Sequence, residues 1–198
     1  VEGLLATIRN RGGIFMKKMS LIIISLLVFV GGCGFFEKKE QKVAVNANSG
    51  PTATAKVIGK NNESYGNAYF EEEDNGVKMT LALSGVPAGT HGIHIHSVGK
   101  CEPPTFESAG PHFNPTSKEH GKDNPKGYHL GDLPNLVVGE DGKVDLNFLA
   151  EGLTLEKNAA NSLLRDGGTA LVIHESEDDY KTDPSGNSGA RIACGIIQ

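Results

Sequence analysis

From about residue 52 the chain falls into short runs in which apolar and polar residues alternate. They are TATAKVIG (52–59), SYGNAYFEEE (64–73), GVKMTLALSG (76–85), HGIHIHSV (91–98), LPNLVVGE (133–140), GKVDLNFLA (142–150), GTALVIHES (168–176) and ARIACGII (190–197). Successive side chains of a strand point to opposite faces, so a period of two predicts strands half-buried in a sheet. Turn signals such as KNNE, EDNG and VPAG separate the earlier runs. Eight short strands at this spacing predict an all-β domain: an eight-stranded Greek-key sandwich or barrel. Residues 99–131 break the pattern, being rich in proline and glycine and without alternation. A loop of that length inside a compact domain needs a function or a staple.

The HGIHIH run raises a question of chemistry. Alternation puts His94 and His96 on one face and Ile93 and Ile95 on the other. The isoleucines belong in a core, whereas two adjacent imidazoles gain little from packing on each other. In GTALVIHE the same alternation places His174 on a face with Ala170 and Val172. Three imidazoles from two strands, with a fourth available from the loop, suit copper, which takes nitrogen ligands in tetragonal geometry. The competing view is that these are solvated or hydrogen-bonded strand residues. The loop itself carries His112, His120 and His129, with Asp132 three residues after the last. Three imidazoles and one carboxylate make a closed tetrahedral set for zinc, and metal binding would supply the free energy that orders such a loop. Unrelated, scattered loop histidines are the alternative.

Composition narrows the class. The chain has 198 residues, 26 glycines, no tryptophan and a formal net charge of −5. That length allows one domain with a full core, and the negative balance without a basic cluster argues against nucleic-acid binding. Upstream, Lys17 and Lys18 precede the ten-residue apolar run LIIISLLVFV (21–30), followed by Gly31, Gly32 and Cys33. The run is too short to span a bilayer, which needs roughly 20 apolar residues, and reads as a secretory signal. The predicted organisation is an upstream extension and signal over 1–32, a flexible tether over 33–51 and a single domain over 52–198. Translation is expected to begin at Met16 or Met19. Removing residues 1–32 takes away four basic residues and one acidic one, which leaves 15 against 23 and a net charge of −8. Export also bears on the cysteines. With Cys33 set aside, Cys101 and Cys194 remain in an oxidising compartment, as one bridge or as two free thiols.

Several motifs together, in order, resemble the copper–zinc superoxide dismutase family. They are HGIHIH, SAGPHFNP (108–115), the His112-x7-His120-x8-His129-x2-Asp132 spacing, GDLPN (131–135), LVIHE (171–175) and SGARIACG (188–195). The resemblance runs from about residue 52 to the end. It implies one copper per chain on His94, His96, His112 and His174. One zinc would sit on His112, His120, His129 and Asp132, with His112 bridging the two ions. It makes Asp178 the carboxylate linking a ligand of each metal, Arg191 the arginine beside the copper and binder of the superoxide anion, and Cys101–Cys194 a disulfide. His112 and Arg191 would be the catalytic pair. His91 matches no ligand and is expected to brace a loop by hydrogen bonds. Lys181, in the short loop before Arg191, is a weaker candidate for attracting the anion. The Gly31-Gly32-Cys33 stretch resembles a bacterial lipobox. It implies lipidation at Cys33, a membrane anchor and an exported protein facing the outside of the cell. Some relatives of the fold have lost copper ligands and turnover; all four positions are filled here. A metal-storing protein without turnover is the rival expectation, and the oligomeric state stays open, a homodimer included.

Overall fold

The computed structural model describes residues 50–198. The expected signal, Cys33 and all but the last two residues of the tether lie outside the described residues. Among the described residues nine strands form: β1 (Thr52–Gly59), β2 (Ser64–Glu73), β3 (Gly76–Ser84), β4 (Gly89–His91), β5 (Ile93–His96), β6 (Leu136–Val138), β7 (Lys143–Glu151), β8 (Thr169–His174) and β9 (Arg191–Ile197). Seven make one curled antiparallel sheet in the order β5-β8-β9-β1-β2-β3-β7, and β4 pairs with β6 alone. The all-β expectation holds, with one more strand than the eight runs. The HGIHIH run is two strands, because it breaks at Gly92. There the Gly92 N–H donates to the Ser176 carbonyl, so His91 stays with β6 while Ile93 onward joins β8.

Alternation builds the main core as expected. Ala53, Ala55 and Val57 of β1, Ala68 and Phe70 of β2, and Val77, Met79, Leu81 and Leu83 of β3 are buried, and so are Ile93, Ile95, Leu171 and Ile173. Each fully buried large side chain among them contributes roughly 1.5–3 kcal/mol. Phe70 pairs across the sheet with Met79, and Met79 with Phe148, so one inward row crosses three strands.

The opposite face of β5, β8 and β9 is buried too. Segment 97–135 folds back over it as a second layer, with one short 3₁₀ turn at Glu107–Ala109. Backbone bonds lace this layer to β5: Ile95 N–H to Gly131 O at 2.9 Å, Phe113 N–H to Ile95 O at 2.8 Å and Gly131 N–H to Phe113 O at 2.9 Å. Gly131 has to be glycine, since a Cβ there would overlap the Ile95 carbonyl oxygen. A small apolar cluster of Phe106, Ala109, Ala170, Val172 and Cys194 fills one end of the interlayer space. The histidines fill the other end. The Cys101–Cys194 disulfide, with Cα atoms 5.6 Å apart, ties the overlying segment to β9.

That bridge spans 93 positions, a closure worth about 4–5 kcal/mol in the chain-entropy account. Chemical denaturation with and without reductant should show a loss of that order. A loss below about 1 kcal/mol would mean that the backbone lacing holds the layer unaided.

Candidate metal centre

All the histidines and carboxylates expected at the site, His94, His96, His112, His120, His129, His174, Asp132 and Asp178, are buried. Three elements deliver all but Asp178, which lies in the loop between β8 and β9. β5 supplies His94 and His96. Cross-strand neighbours Val172 and Ala170 of β8 share their face, with His174 one step further along. The β8–β9 pairing shifts register between Ile173 and His174, so that His174 pairs with Arg191 and Ile192 is skipped. The laced segment brings His112 opposite His96 and Asp132 opposite His94 through isolated bridges.

Two donor sets result. His94, His96, His112 and His174 form one, and His112, His120, His129 and Asp132 the other. Within each, the nearest ligand atoms all lie within 4.8 Å of one another. His112 belongs to both sets, and its ring centroid is 4.0 Å from that of His94.

In the first set, most rings have one nitrogen fixed by an outer partner and the other aimed inward. His94 Nε2 meets Asp178 Oδ2 at 2.7 Å, His96 Nδ1 donates to Gly110 O at 2.7 Å, and His174 Nδ1 lies 3.3 Å from Gly189 O. His96 Nε2 and His174 Nε2 are left facing each other at 3.4 Å. In the second set the Nδ1 atoms of His112, His120 and His129 lie 2.9, 3.0 and 3.2 Å from one oxygen, Asp132 Oδ1. Four donors around an ion at about 2.0 Å would stand about 3.3 Å apart, close to these separations. Asp132 Oδ2 is held by the N–H groups of Gly121 at 3.0 Å and His129 at 3.1 Å.

Three buried nitrogens have no hydrogen-bond partner among the described residues: His94 Nδ1, His112 Nε2 and His120 Nδ1. His120 Nδ1 is near Asp132 Oδ1 yet off the line a hydrogen bond requires, as neighbouring ligands of one ion would be. Leaving such groups unpaired costs about 1–3 kcal/mol each, and one metal in each set would satisfy them. Both sets therefore fit metal ions. A third convergence, His94, His120 and Asp178, is closed without one. Asp178 Oδ2 takes His94 and Oδ1 takes His120 Nε2 at 3.0 Å, so Asp178 ties a ring of one set to a ring of the other.

The electrostatics suit ligation. Burial, reinforced by neighbouring imidazoles, pushes His112 down to about 4 and His174 to about 3. Burial also lowers His94, and lowers His96 strongly. These rings are neutral at pH 7, with lone pairs available. His120 is the exception. Burial opposes its charge, but hydrogen bonds to Asp132 and Asp178 outweigh that and raise it to about 9. Burial would raise Asp132 and Asp178, yet the imidazoles around them hold both well below the usual carboxylate range.

Arg191 opens β9 beside the first set. Its Nη1 donates to Phe106 O and its Nη2 to Gly110 O, both at 2.7 Å. Gly110 O thus orients both His96 and Arg191. His91 stays outside both sets, its ring nitrogens 2.8 Å from His174 O and 2.9 Å from Pro87 O, bracing two backbone segments as expected. Lys181 is exposed and does not line the cavity in front of Arg191.

Sequence reasoning missed the supports. Asn135 exchanges hydrogen bonds with the Asp178 backbone at 2.8 and 2.9 Å and takes the Tyr180 hydroxyl on its own N–H. Asp183 accepts from the His120 N–H at 2.7 Å. Gly186, at φ 65°, lies where any Cβ would overlap Asp178 Oδ1 and come 2.7 Å from His120 Nε2. Asn135 stood inside the GDLPN motif and was the one signal on offer.

The family described as copper/zinc superoxide dismutase (SODC) matches residues 64–197. Superoxide dismutase (Cu-Zn) 2 of Aquifex aeolicus is 48% identical over 147 residues, covering 74% of this chain and 86% of that protein. Superoxide dismutase-like protein YojM of Bacillus subtilis is 39% identical over 193 residues, 92% of this chain and 96% of the relative. Among solved structures, a SOD-like protein from Bacillus subtilis superposes with TM-score 0.71 at 43% identity, covering 73% of this chain and 97% of that one. Cu/Zn superoxide dismutase from Brucella abortus gives 0.61 at 29% identity, with 75% and 100% covered. A family match from β2 through β9, on a chain whose buried imidazoles form two joined donor sets, leaves one conclusion: this protein belongs to the copper/zinc superoxide dismutase family.

Proposed function

We propose that the protein is an active superoxide dismutase, in which His94, His96, His112 and His174 hold copper while His112, His120, His129 and Asp132 hold zinc. When bound, copper supplies an electron acceptor and donor, Cu(II)/Cu(I), and zinc supplies charge without redox chemistry. The net reaction converts two superoxide anions and two protons to dioxygen and hydrogen peroxide. The observation that carries the reading is Arg191: a guanidinium locked on the carbonyl that also orients His96, although a metal site alone needs no such cation. Two of its five N–H groups are engaged, and the rest are free to receive an anion by charge-assisted hydrogen bonds.

His112 moves the proton. Its Nδ1 faces Asp132, so Nε2 is the atom that can take a proton in one half-reaction and give it up in the next. Asp178 keeps the His94 and His120 rings in place while this happens. A metal-binding protein without turnover is the second reading, and the printed name of the Bacillus subtilis relative, superoxide dismutase-like, favours keeping it in view.

The two readings separate on purified protein loaded with both metals. Rapid consumption of superoxide, lost in His174→Ala together with copper while about one zinc per chain remains, supports the enzyme by the ligand sets above. Stable binding of both metals with no superoxide consumption makes it a binding protein.

Zinc binding should also move a proton of known origin. At pH 7 His120 carries its extra proton, because its pKa is about 9, and zinc needs the neutral ring. Zinc added to metal-free protein at pH 7 should therefore release about one proton from this residue, about half a proton near pH 9 and almost none above about pH 10. Calorimetry in buffers of different ionisation enthalpy measures this count. Asp178→Asn removes one of the two stabilising carboxylates, so release at pH 8 should fall. A proton count independent of pH would mean that His120 is already neutral in the metal-free protein, so that the two carboxylates do not hold its proton.

The same reading places the enzyme outside the cell membrane, tethered through lipid on Cys33. The support is sequence alone: Lys17, Lys18, the apolar run and Gly31-Gly32-Cys33. Two or more acyl chains give stable anchoring where one does not. Cys33→Ser should release soluble, metal-loaded protein into the medium, as fractionation and immunoblotting would show. Retention of that variant on membranes after signal removal would overturn the anchor.

A further inference from the structure

The second donor set has an opening of its own. A cavity of about 450 Å³ is lined by two of its ligands, His112 and His129, and by none of the rings that belong to the first set alone. The cavity in front of Arg191, which Lys60, Glu107 and Gly189 also line, includes no ligand of the second set. A smaller cavity of about 170 Å³ meets the set at Asp132, with Glu151 in its wall. Asp132 is pinned on both oxygens, by imidazoles on one and by two N–H groups on the other.

The three rings of the set are not held equally. A ligating imidazole is ordinarily fixed through its second nitrogen. His120 has that support, with Nε2 on Asp178 at 3.0 Å, and its N–H donates to Asp183 Oδ1 at 2.7 Å. His112 is laced to β5 through the backbone of its neighbour Phe113. His129 faces Asp132 with Nδ1, while its Nε2 makes no hydrogen bond among the described residues. It is the ligand that can swing off the set at least cost, and it lines the cavity.

Two carboxylates stand at the same opening, Asp183 and Glu119. Asp183 is exposed, and its Oδ2 makes no hydrogen bond among the described residues. Hydrogen bonds from Lys126 and Asn124 lower Glu119, against the charge of Asp183, which is near enough to oppose them. The Lys126–Glu119 pair is an exposed contact at 3.0 Å, of a kind an incoming dication can displace. Of the two cations in the wall, Lys118 points its backbone into the Asn114 turn, and Arg165 lies over the Phe113 ring, 5.7 Å from its centroid.

We propose that this cavity is the port of the second set, with Asp183 and Glu119 as the first hold for arriving zinc and His129 as the ligand that swings aside and closes last. The proposal rests on the reading of that set as the zinc site. Carboxylate oxygens are ordinary zinc ligands, and the hydrogen bond from His120 N–H to Asp183 puts the first hold next to a final ligand.

The test uses copper-free protein and zinc alone. Stopped flow measures uptake by metal-free protein, and excess 4-(2-pyridylazo)resorcinol times release from zinc-loaded protein by its absorption. Asp183→Asn keeps an acceptor for the His120 N–H, and Glu119→Gln keeps one for Asn124, so each removes charge and little else. Removing one unit charge about 6–8 Å from the path of a dication should slow uptake about threefold at about 0.1 M salt, and removing both about tenfold. Neither variant should speed release, whereas a site merely loosened would lose zinc faster. Glu151→Gln, in the wall of the smaller cavity, should leave both rates at wild type. Wild-type uptake in the double variant would overturn the port. So would slowing by Glu151→Gln in place of the other two, or faster release as their only effect. If wild type fails to bind about one zinc per chain, the zinc reading itself falls; about one zinc with unaltered rates in the double variant defeats the port alone.

Discussion

The outer half of this domain depends on one carboxylate. Asp132 Oδ1 is approached by three imidazole Nδ1 atoms at 2.9–3.2 Å, and Oδ2 by two backbone N–H groups. Those contacts come from residues 112, 120, 121 and 129, so one side chain gathers most of a segment with little regular structure of its own. A buried carboxylate is costly unless paired and hydrogen-bonded, and here the pairing is what shapes the loop. The arrangement also explains why His120 is raised above the ordinary imidazole range: it lies between Asp132 and Asp178 and answers to both. A divalent ion among the same ligands would take over that proton's role.

Two kinds of packing share the space between the sheet and the overlying segment. Phe106, Ala109, Ala170, Val172 and Cys194 make an apolar end, beside the polar end built from imidazoles. The division follows from β8. Ala170 and Val172 occupy the same face as His174, so a single strand serves the small core and the donor set in turn. Cys194 anchors the apolar end covalently and Asp132 anchors the polar end electrostatically. A segment held at both ends can present Gly110, between them, with enough constancy for its carbonyl to orient both His96 and Arg191.

Much of this was legible in the chain. Alternation located the sheet strands, and its failure over 99–131 located the segment that needed a staple. The pairing of His94 with His96, and their face-sharing with His174, followed from parity alone. Alternation could not show that the histidine face would be buried, because burial there comes from a loop without periodicity. Nor could it find the break at Gly92, since an uninterrupted period of two runs through HGIHIH while the hydrogen-bond partners change from β6 to β8. Asn135, Asp183 and Gly186 were invisible for a related reason. Their roles depend on long-range contacts to Asp178 and His120, made by residue types that also populate ordinary turns.

Arg191 poses the harder question of whether a fold needs it. Its two carbonyl contacts help hold the 106–110 turn, so part of its value is structural. A turn can be held by neutral donors, however, without placing a guanidinium where burial works against its charge. Backbone lacing already fixes the neighbouring segment, through Ser97 N–H to Pro111 O at 2.9 Å and Val98 N–H to Ala109 O at 3.0 Å. A second cation at Lys60 facing the same cavity adds nothing to that turn, since it belongs to another hairpin. Lys60 and Arg191 converge from separate elements on one opening that Glu107 also lines, a net positive mouth on a chain of negative net charge. Arg191 and Lys60 against Glu107 leave the opening net positive, the charge that the proposed anion chemistry would use and that the ligand sets alone do not supply.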